Sequence, residues 1–560
     1  MKNRLQSRAI SFSLVLALLV YTNAAADPIK IYTANPQYFD YNGRVMTLVG
    51  TSASYLCHVD QTDADDATNF CTWGNHNTFF TQLRDSGLNK IRLWLALNHS
   101  PGSHPTDSPG TSSNLELTPY ESEQPFKWNS TTKKWNLDKW SEPTATENNG
   151  LFFPRVKQVI QDAQSKGIIV EVTLFDAFSG AFENSPWNDR NNAQDANHSL
   201  SDENYFTSFD SVTDDTHLGN KYVRTIQRNF VKKMVNLLNE FDNFYWEIAN
   251  EPDNNNVDPR GTINWHQDMI NQIKQAESLL PKKHLIAVNF SQTDSLNWAS
   301  ANTDISIING HYVTISDHST RARSGAIELI SPWRPKPTSP ALNPINKMLG
   351  FNEGRITNAT QATADSVRAE AGEFMLSEGG AFDHLGYLNG SATSPFVDPA
   401  ELRRQLGALA KFLNGEVVNG VLVPGISLAN MTRHAFNPPF WAANLPKYGT
   451  QPTGTAYKVY WGSMQWSRNE YVLYVHHSLM TNAAFNKYNP VTGSYKYALT
   501  MNLGPQSGWF TAKWINPKTG ALLTGANNQH TFYWPADGTT YTLPVSPTFS
   551  FDAVLHVKRQ

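Results

Sequence analysis

The sequence predicts an α/β chain, a closed (β/α)8 barrel followed by an antiparallel β-sandwich domain, and three features carry that prediction. Short apolar or β-branched runs alternate with amphipathic stretches, the pattern of parallel strands joined by helical crossovers, and eight such units make a closed barrel the simplest reading. The two longest connections both follow a strand, as loops at a barrel's mouth do. Beyond about Tyr448 the helical period disappears, and short alternating strands are separated by Gly, Pro and Asn turns. At 560 residues the chain is long enough for more than one domain, against a soft prior of about 150 residues each.

In chain order, Lys2, Arg4 and Arg8 precede an apolar run from Phe12 to Val20 and the small residues Ala24, Ala25 and Ala26. This three-part layout predicts a signal peptide over 1–26, its apolar part too short to span a bilayer. The mature chain would begin near Asp27 and be secreted or periplasmic. In such an oxidising compartment Cys57 and Cys71 would close a short disulfide loop worth roughly 3 kcal/mol. Two cysteines cannot supply a disulfide framework or a four-Cys zinc site.

The barrel is predicted over 27–448. Its strands fall at 45–50, 90–97, 168–175, 243–248, 285–289, 305–309, 348–352 and 381–385. Helices are predicted at 78–86, 154–166, 222–240, 265–280, 364–375 and 399–413, with Pro154 suiting a helix start and Gly87 and Gly167 suiting helix stops. The long connections run from 98 to about 150 and from 176 to about 220. The first carries Trp128, Trp135 and Trp140, and the second Phe178, Phe182 and Trp187. Rings on mouth loops suit sugars, whose C–H faces stack on them; packing within their own loops is the plainer alternative. The sandwich is predicted over 449–560, with strands at 471–477, 496–502, 510–515, 540–543 and 551–557. The Pro/Gly link before it is too short for a free tether, so it should pack on the barrel as a support.

Charge narrows the partners. Lys and Arg number 45 against 49 Asp and Glu, so no basic excess favours nucleic acid or an anionic membrane. The expectation is a monomer, with no membrane association once the signal is removed. The Asp60, Asp63, Asp65 and Asp66 loop lacks the Gly and closing Glu of an EF-hand, and no phosphate-cradling Gly loop or His-Glu-x-x-His occurs. No metal and no cofactor are expected.

The chemistry concentrates where the apolar run Phe244-Tyr245-Trp246-Glu247-Ile248-Ala249 meets Asn250-Glu251-Pro252. As a tripeptide, Asn-Glu-Pro is weak, because a turn after any strand explains it equally well. At the tip of the fourth barrel strand it places a carboxyl in the mouth, where barrel enzymes keep their chemistry. Glycoside cleavage needs two carboxyls across one bond, one to protonate the leaving oxygen and one to attack or activate water. Two acids compete for the second role. Glu353 ends the apolar run from Met348, while Glu378 ends Phe374-Met375-Leu376-Ser377. Val367, Ala371, Phe374 and Met375 share one face of a helix, which puts Glu378 at that helix's end before a Gly-Gly stop and favours Glu353.

These motifs resemble the clan of retaining (β/α)8 glycoside hydrolases that includes the cellulase-like family 5, over most of residues 28–440. The resemblance implies that Glu251 is the general acid/base and Glu353 the nucleophile. It implies that Arg92, in Asn89-Lys90-Ile91-Arg92, braces the nucleophile, and that His311 and Tyr312 surround the cleaved sugar. Asn250, Asp176 and Trp94 complete the expected substrate-binding set. The segment His384-Leu385-Gly386-Tyr387 departs from such relatives in having no acid after Leu385. The run from Trp514 to Gly520, with Phe551-Asp552-Ala553-Val554-Leu555, resembles a sandwich module often named collagen-binding. The implied function is an exported retaining hydrolase of β-linked poly- or oligosaccharides. A transglycosylase shares every one of these residues, and a non-catalytic glycan-binding or adhesion protein would keep the aromatic loops without needing both carboxyls.

Overall fold

A computed structural model of the chain describes residues 27–53, 76–95, 124–142 (except 130 and 133), 152–176, 186–187, 192–193, 218–252, 259–290, 293–311, 347–354, 364–384, 399–433 (except 420), 448–450, 456–479 and 489–560. Eight parallel strands close into a barrel in sequence order: β1 (Leu48–Ala53), β2 (Lys90–Trp94), β3 (Ile169–Asp176), β4 (Phe244–Asn250), β5 (Ile286–Asn289), β6 (Ile307–His311), β7 (Met348–Gly354) and β8 (Ala381–His384). Helices α1 (His76–Ser86), α2 (Phe152–Ser165), α3 (Leu218–Leu238), α4 (Pro259–Ser278), α5 (Thr293–Ala301), α6 (Ala364–Met375) and α7 (Pro399–Asn414) accompany them. The short α5 was not expected from sequence.

Local sequence explains the helix bounds. In α2, Phe152, Phe153, Val156, Val159, Ile160 and Ala163 recur at helical spacing and are buried. Pro154 falls inside the first turn, where its missing N–H has no intrahelical partner to lose. Gly87 and Gly167 both take positive φ, and the following N–H groups of Leu88 and Ile168 reach back to Leu83 and Ala163 at 2.9 Å. A side chain with a Cβ would be strained in that left-handed turn.

The barrel interior is layered by period-two alternation. At its base Leu48, Ile169, Tyr245, Ala287, Ile307, Met348 and Ala381 form an apolar plug. Ile29, together with Phe39 and Met46 of a three-stranded N-terminal meander, closes the plug from below. The next layer up is polar: Lys90, Glu171, Glu247, Asn309 and Asp383 are buried there. Gly350 makes room for it, since a Cβ would lie 2.0 Å from Asn309 Oδ1.

The aromatic connections behave differently from the sugar-stacking expectation. Trp135 and Trp187 are fully buried in the main core. Trp128 packs edge-on to Trp135, with ring centres 4.9 Å apart. Phe126 lies 5.0 Å from Trp187 and 5.4 Å from Trp140. These rings bind a two-stranded ladder, Phe126–Asn129 with Lys134–Trp140, to α2 and α3. Phe178, Phe182, Tyr312, the 1–26 segment, Cys57, Cys71 and the Asp60–Asp66 loop lie outside the described residues.

C-terminal to the barrel, an antiparallel sheet contains β9 (Ala456–Trp466), β10 (Glu470–Leu479), β11 (Gly508–Ile515), β12 (Gln529–Trp534) and β13 (Asp552–Arg559), ordered β9-β10-β13-β11-β12. Thr432–Arg433 pairs with β9, so the sheet takes in residues ahead of the expected start at 449. Alternation divides its faces. Tyr471, Leu473 and Val475 enter a local core with Leu499, Met501 and Leu543, beside the small ladder Thr500–Met501 with Tyr541–Thr542. Val472, Tyr474 and Val554 join the barrel's own core. The sheet is therefore packed on the barrel through its β10 and β13 side, while the same face of β12 stays exposed at Thr531 and Tyr533.

Candidate active site

Arg92 organises the mouth of the barrel. Its side chain is fully buried, and the three nitrogens of the guanidinium join two strands, β4 and β7. Nε donates to Glu247 Oε2 at 2.8 Å, Nη1 to Glu353 Oε1 at 2.7 Å, and Nη2 to Asn250 Oδ1 at 2.8 Å. Burial pulls the guanidinium's pKa down, but Glu247, Glu353 and Glu171 outweigh it and the net shift is upward. The guanidinium carbon also sits 5.1 Å from the centre of the Trp94 ring. Asn250, its oxygen committed to Arg92, donates its amide to Asp176 Oδ1 at 3.1 Å.

Beneath Arg92, carboxylates and amides interlock. Glu247 accepts from Thr173 Oγ1 at 2.6 Å, from Asn309 Nδ2 at 2.9 Å and from Asn352 Nδ2 at 2.8 Å. Burial would raise the Glu247 pKa, but Arg92, Thr173, His311 and Asn309 hold it below the usual carboxylate value. Glu171 accepts from the same two amides and pairs with Lys90, which also contacts Asp383. Lys90 is lowered, because burial exceeds the pull of Glu171.

Above this layer Glu251, His311 and Glu353 converge. Glu251 follows β4 with φ of 46°, a left-handed conformation uncommon for a residue with a side chain. Its N–H donates to Asn289 Oδ1 at 3.0 Å, and Asn289 in turn donates to the Asn309 carbonyl at 3.2 Å, so β5 and β6 hold the turn. Glu251 Oε1 lies 2.9 Å from His311 Nδ1, and that nitrogen lies 3.4 Å from Glu353 Oε2. One donor atom from each of Glu251, His311 and Glu353 falls within 4.8 Å of the others. Burial would lower His311, yet Glu353 and Glu251 raise it above its ordinary value. These three side chains are, among the described residues, the group convergent enough to take a cation, although Arg92 already supplies positive charge to Glu353.

The structure thus brings together Glu251, Glu353, Arg92, Asn250, His311, Asp176 and Trp94. Glu378 is elsewhere. It follows α6 with φ of 75° and precedes the N-terminal end of β8, at the opposite end of the barrel from the mouth. Sequence reasoning missed Glu171, Glu247, Asn309 and Asn352. A signal existed for the first two: Lys90 with Arg92, Glu171 with Thr173, and Tyr245 with Glu247 place polar atoms at period two within otherwise apolar strands. Strands of a parallel sheet buried on both faces ordinarily read as continuous apolar runs.

No protein-family model and no curated protein matches the chain. Among solved structures it is similar to a glycoside hydrolase at 10% identity and a TM-score of 0.52, covering 95% of this chain and 97% of that one. It is also similar to a Bacteroides vulgatus protein described as a glycoside hydrolase, at 10% identity and a TM-score of 0.50, covering 96% of this chain and 83% of that one. An endo-β-1,4-mannanase from Thermotoga petrophila, 14% identical over 78% of this chain and 96% of its own, superposes more loosely at 0.43. At such identities the first two likenesses establish one thing, the fold: a closed parallel barrel followed by an antiparallel sheet.

Proposed function

We propose that the chain is an exported retaining glycoside hydrolase acting on β-linked poly- or oligosaccharides, with Glu251 as general acid/base and Glu353 as nucleophile. The observation that carries this reading is the approach of the two carboxyls, an oxygen of each within 4.8 Å of the other. Retaining enzymes hold their carboxyls about 5–5.5 Å apart, whereas inverting enzymes need roughly 6.5–9.5 Å to admit a water. Arg92 engages Oε1 of Glu353 and fixes its direction, so Oε2 is the atom to attack the anomeric carbon. Glu251 gives its proton to the glycosidic oxygen as that bond breaks, then takes one from the water that releases the glycosyl group. Asn250, held between Arg92 and Asp176, would meet a sugar hydroxyl beside the attacked carbon; Trp94, His311 and Tyr312 would complete the subsite.

No cofactor is required for these steps, and the partner is the carbohydrate alone, bound by a monomer. Export rests on the N-terminal sequence; no described helix is long and apolar enough to cross a membrane. The test is release of reducing ends from a panel of plant and microbial polysaccharides. At least one glycan should be cut, and Glu251→Gln and Glu353→Gln should each lower the rate by roughly 10²-fold or more. A panel left intact, or variants as active as the parent, would refute the reading and leave glycan binding without catalysis.

A further inference from the structure

His311 lies between the acid/base and a residue that the sugar does not need to touch. Its Nε2 is 2.8 Å from Asn352 Oδ1. The orientation of that amide is dictated from its other end. Asn352 Nδ2 faces Glu247 Oε1 at 2.8 Å and Glu171 Oε1 at 3.2 Å, and ionised carboxylates only accept. Each of these carboxylates is paired with a buried cation, Glu247 with Arg92 and Glu171 with Lys90. The amide nitrogen must therefore point at the carboxylates and the amide oxygen at His311. An oxygen there requires a hydrogen on Nε2.

We propose, on the hydrolase reading above, that Asn352 is a positioning residue that fixes His311 with a hydrogen on Nε2, leaving the hydrogen between Nδ1 and Glu251 as the one delivered to the leaving oxygen. A neutral His311 so fixed turns a lone pair toward Glu251, which favours the protonated acid. A charged His311 holds the same hydrogen on Nδ1, 2.9 Å from Glu251. In either state, loss of that hydrogen sets a lone pair against a carboxylate, so the pair retains it to higher pH. The raised pKa of His311 agrees with this. Among the described residues, the charged groups facing His311 are Arg92 on β2, Glu247 and Glu251 on and after β4, and Glu353 on β7. Burial opposes the hydrogen's retention and, of these charges, so does Arg92. Without Asn352, the ring could place its hydrogen on Nδ1 and donate to an ionised Glu251, which stabilises the wrong form of the acid.

Two measurements on the full chain test this. In protein labelled with 15N-histidine, His311 is assigned by the signals lost in His311→Gln, and the neutral ring should carry its hydrogen on Nε2. A neutral ring with the hydrogen on Nδ1 would overturn the proposal, and this result needs no turnover. In Asn352→Leu, the alkaline limb of kcat/KM on an unactivated substrate should move down by about one pH unit or more, the acid limb staying in place. An aryl glycoside whose leaving group needs no proton should show little of that shift. A folded variant with an unmoved alkaline limb contradicts the proposal. If no glycan is cleaved but Nε2 carries the hydrogen, the hydrolase reading fails and the lock on His311 stands.

Discussion

Two buried arginines invite comparison. Arg92 sits in the barrel mouth, and Arg368 sits where α6 meets the C-terminal sheet. Both are buried, both face several acceptors, and in both burial lowers the pKa while carboxylates raise it further. The fork of Arg368 takes both oxygens of Asp552, at 2.8 and 2.9 Å, and Tyr474 donates to the same group at 3.0 Å. Arg92 takes one oxygen of Glu353, and the other turns toward His311. A bidentate pair consumes its acid and serves as a joint; a shared guanidinium aims its acids and leaves chemistry possible. Nearby histidines differ in the same sense. Two carboxylates raise His311, whereas burial pushes His476 down to about 3, although Glu373 lies 3.0 Å from it. Burial of charge alone does not mark a catalytic site. What sets the barrel mouth apart is that two carboxyls also converge on each other there.

The largest effect that could break this contrast is on turnover. Glu353→Gln should lose roughly 10⁴-fold or more in kcat on an activated aryl glycoside. Glu378→Gln, at the other end of the barrel, should stay within about tenfold of the parent. A loss confined to Glu378 would mean that the wrong carboxyl has been named.

Stability comes next. Removing one partner of a buried ion pair costs about 3–5 kcal/mol, so Arg92→Met and Arg368→Met should both unfold at lower denaturant. Only Arg92→Met should also cut the kcat of the folded fraction, by roughly 10²-fold, because Glu353 loses its direction. Equal catalytic losses in the two variants would erase the distinction between joint and site.

The smallest effect is the opposite pH dependence of the two histidines. The folded pKa of His311 is raised, so its contribution is full below about pH 6.5 and is lost as pH climbs through the higher folded value. His476 is depressed to about 3, so its contribution is full above about pH 6.5 and is lost as pH falls toward that value. Urea midpoints should therefore show His311→Gln costing more at pH 5 than at pH 8, and His476→Gln costing more at pH 8 than at pH 5. The same sign for both would contradict the assignment.

Much of the barrel was legible in its sequence because strand and helix periods differ, and each β-branched run ends near a Gly, Pro or Asn. Glu251 could be read because Asn-Glu-Pro ends a strand whose place in the barrel order was countable. Arg92 lies at the same parity as Lys90 in β2, and the motif around it was visible, but its partners were not. Glu247, Asn309 and Asn352 come from three strands, and nothing local tells which amide will meet which carboxylate across a barrel. The tryptophans of the long connections left sugar stacking and loop packing both open for a related reason. Aromatic content signals a ring's size, while its partner, here Phe126 for Trp140 and Trp187, is a property of packing.

The central claim is that Glu251 and Glu353 act across a gap too narrow for an intervening water. The most direct measurement is the anomeric configuration of the first product, followed by proton NMR during hydrolysis before mutarotation mixes the anomers. The account predicts that a β-linked substrate first releases the β-anomer. First appearance of the α-anomer would mean inversion, a wider working distance between the carboxyls, and a different role for Glu353.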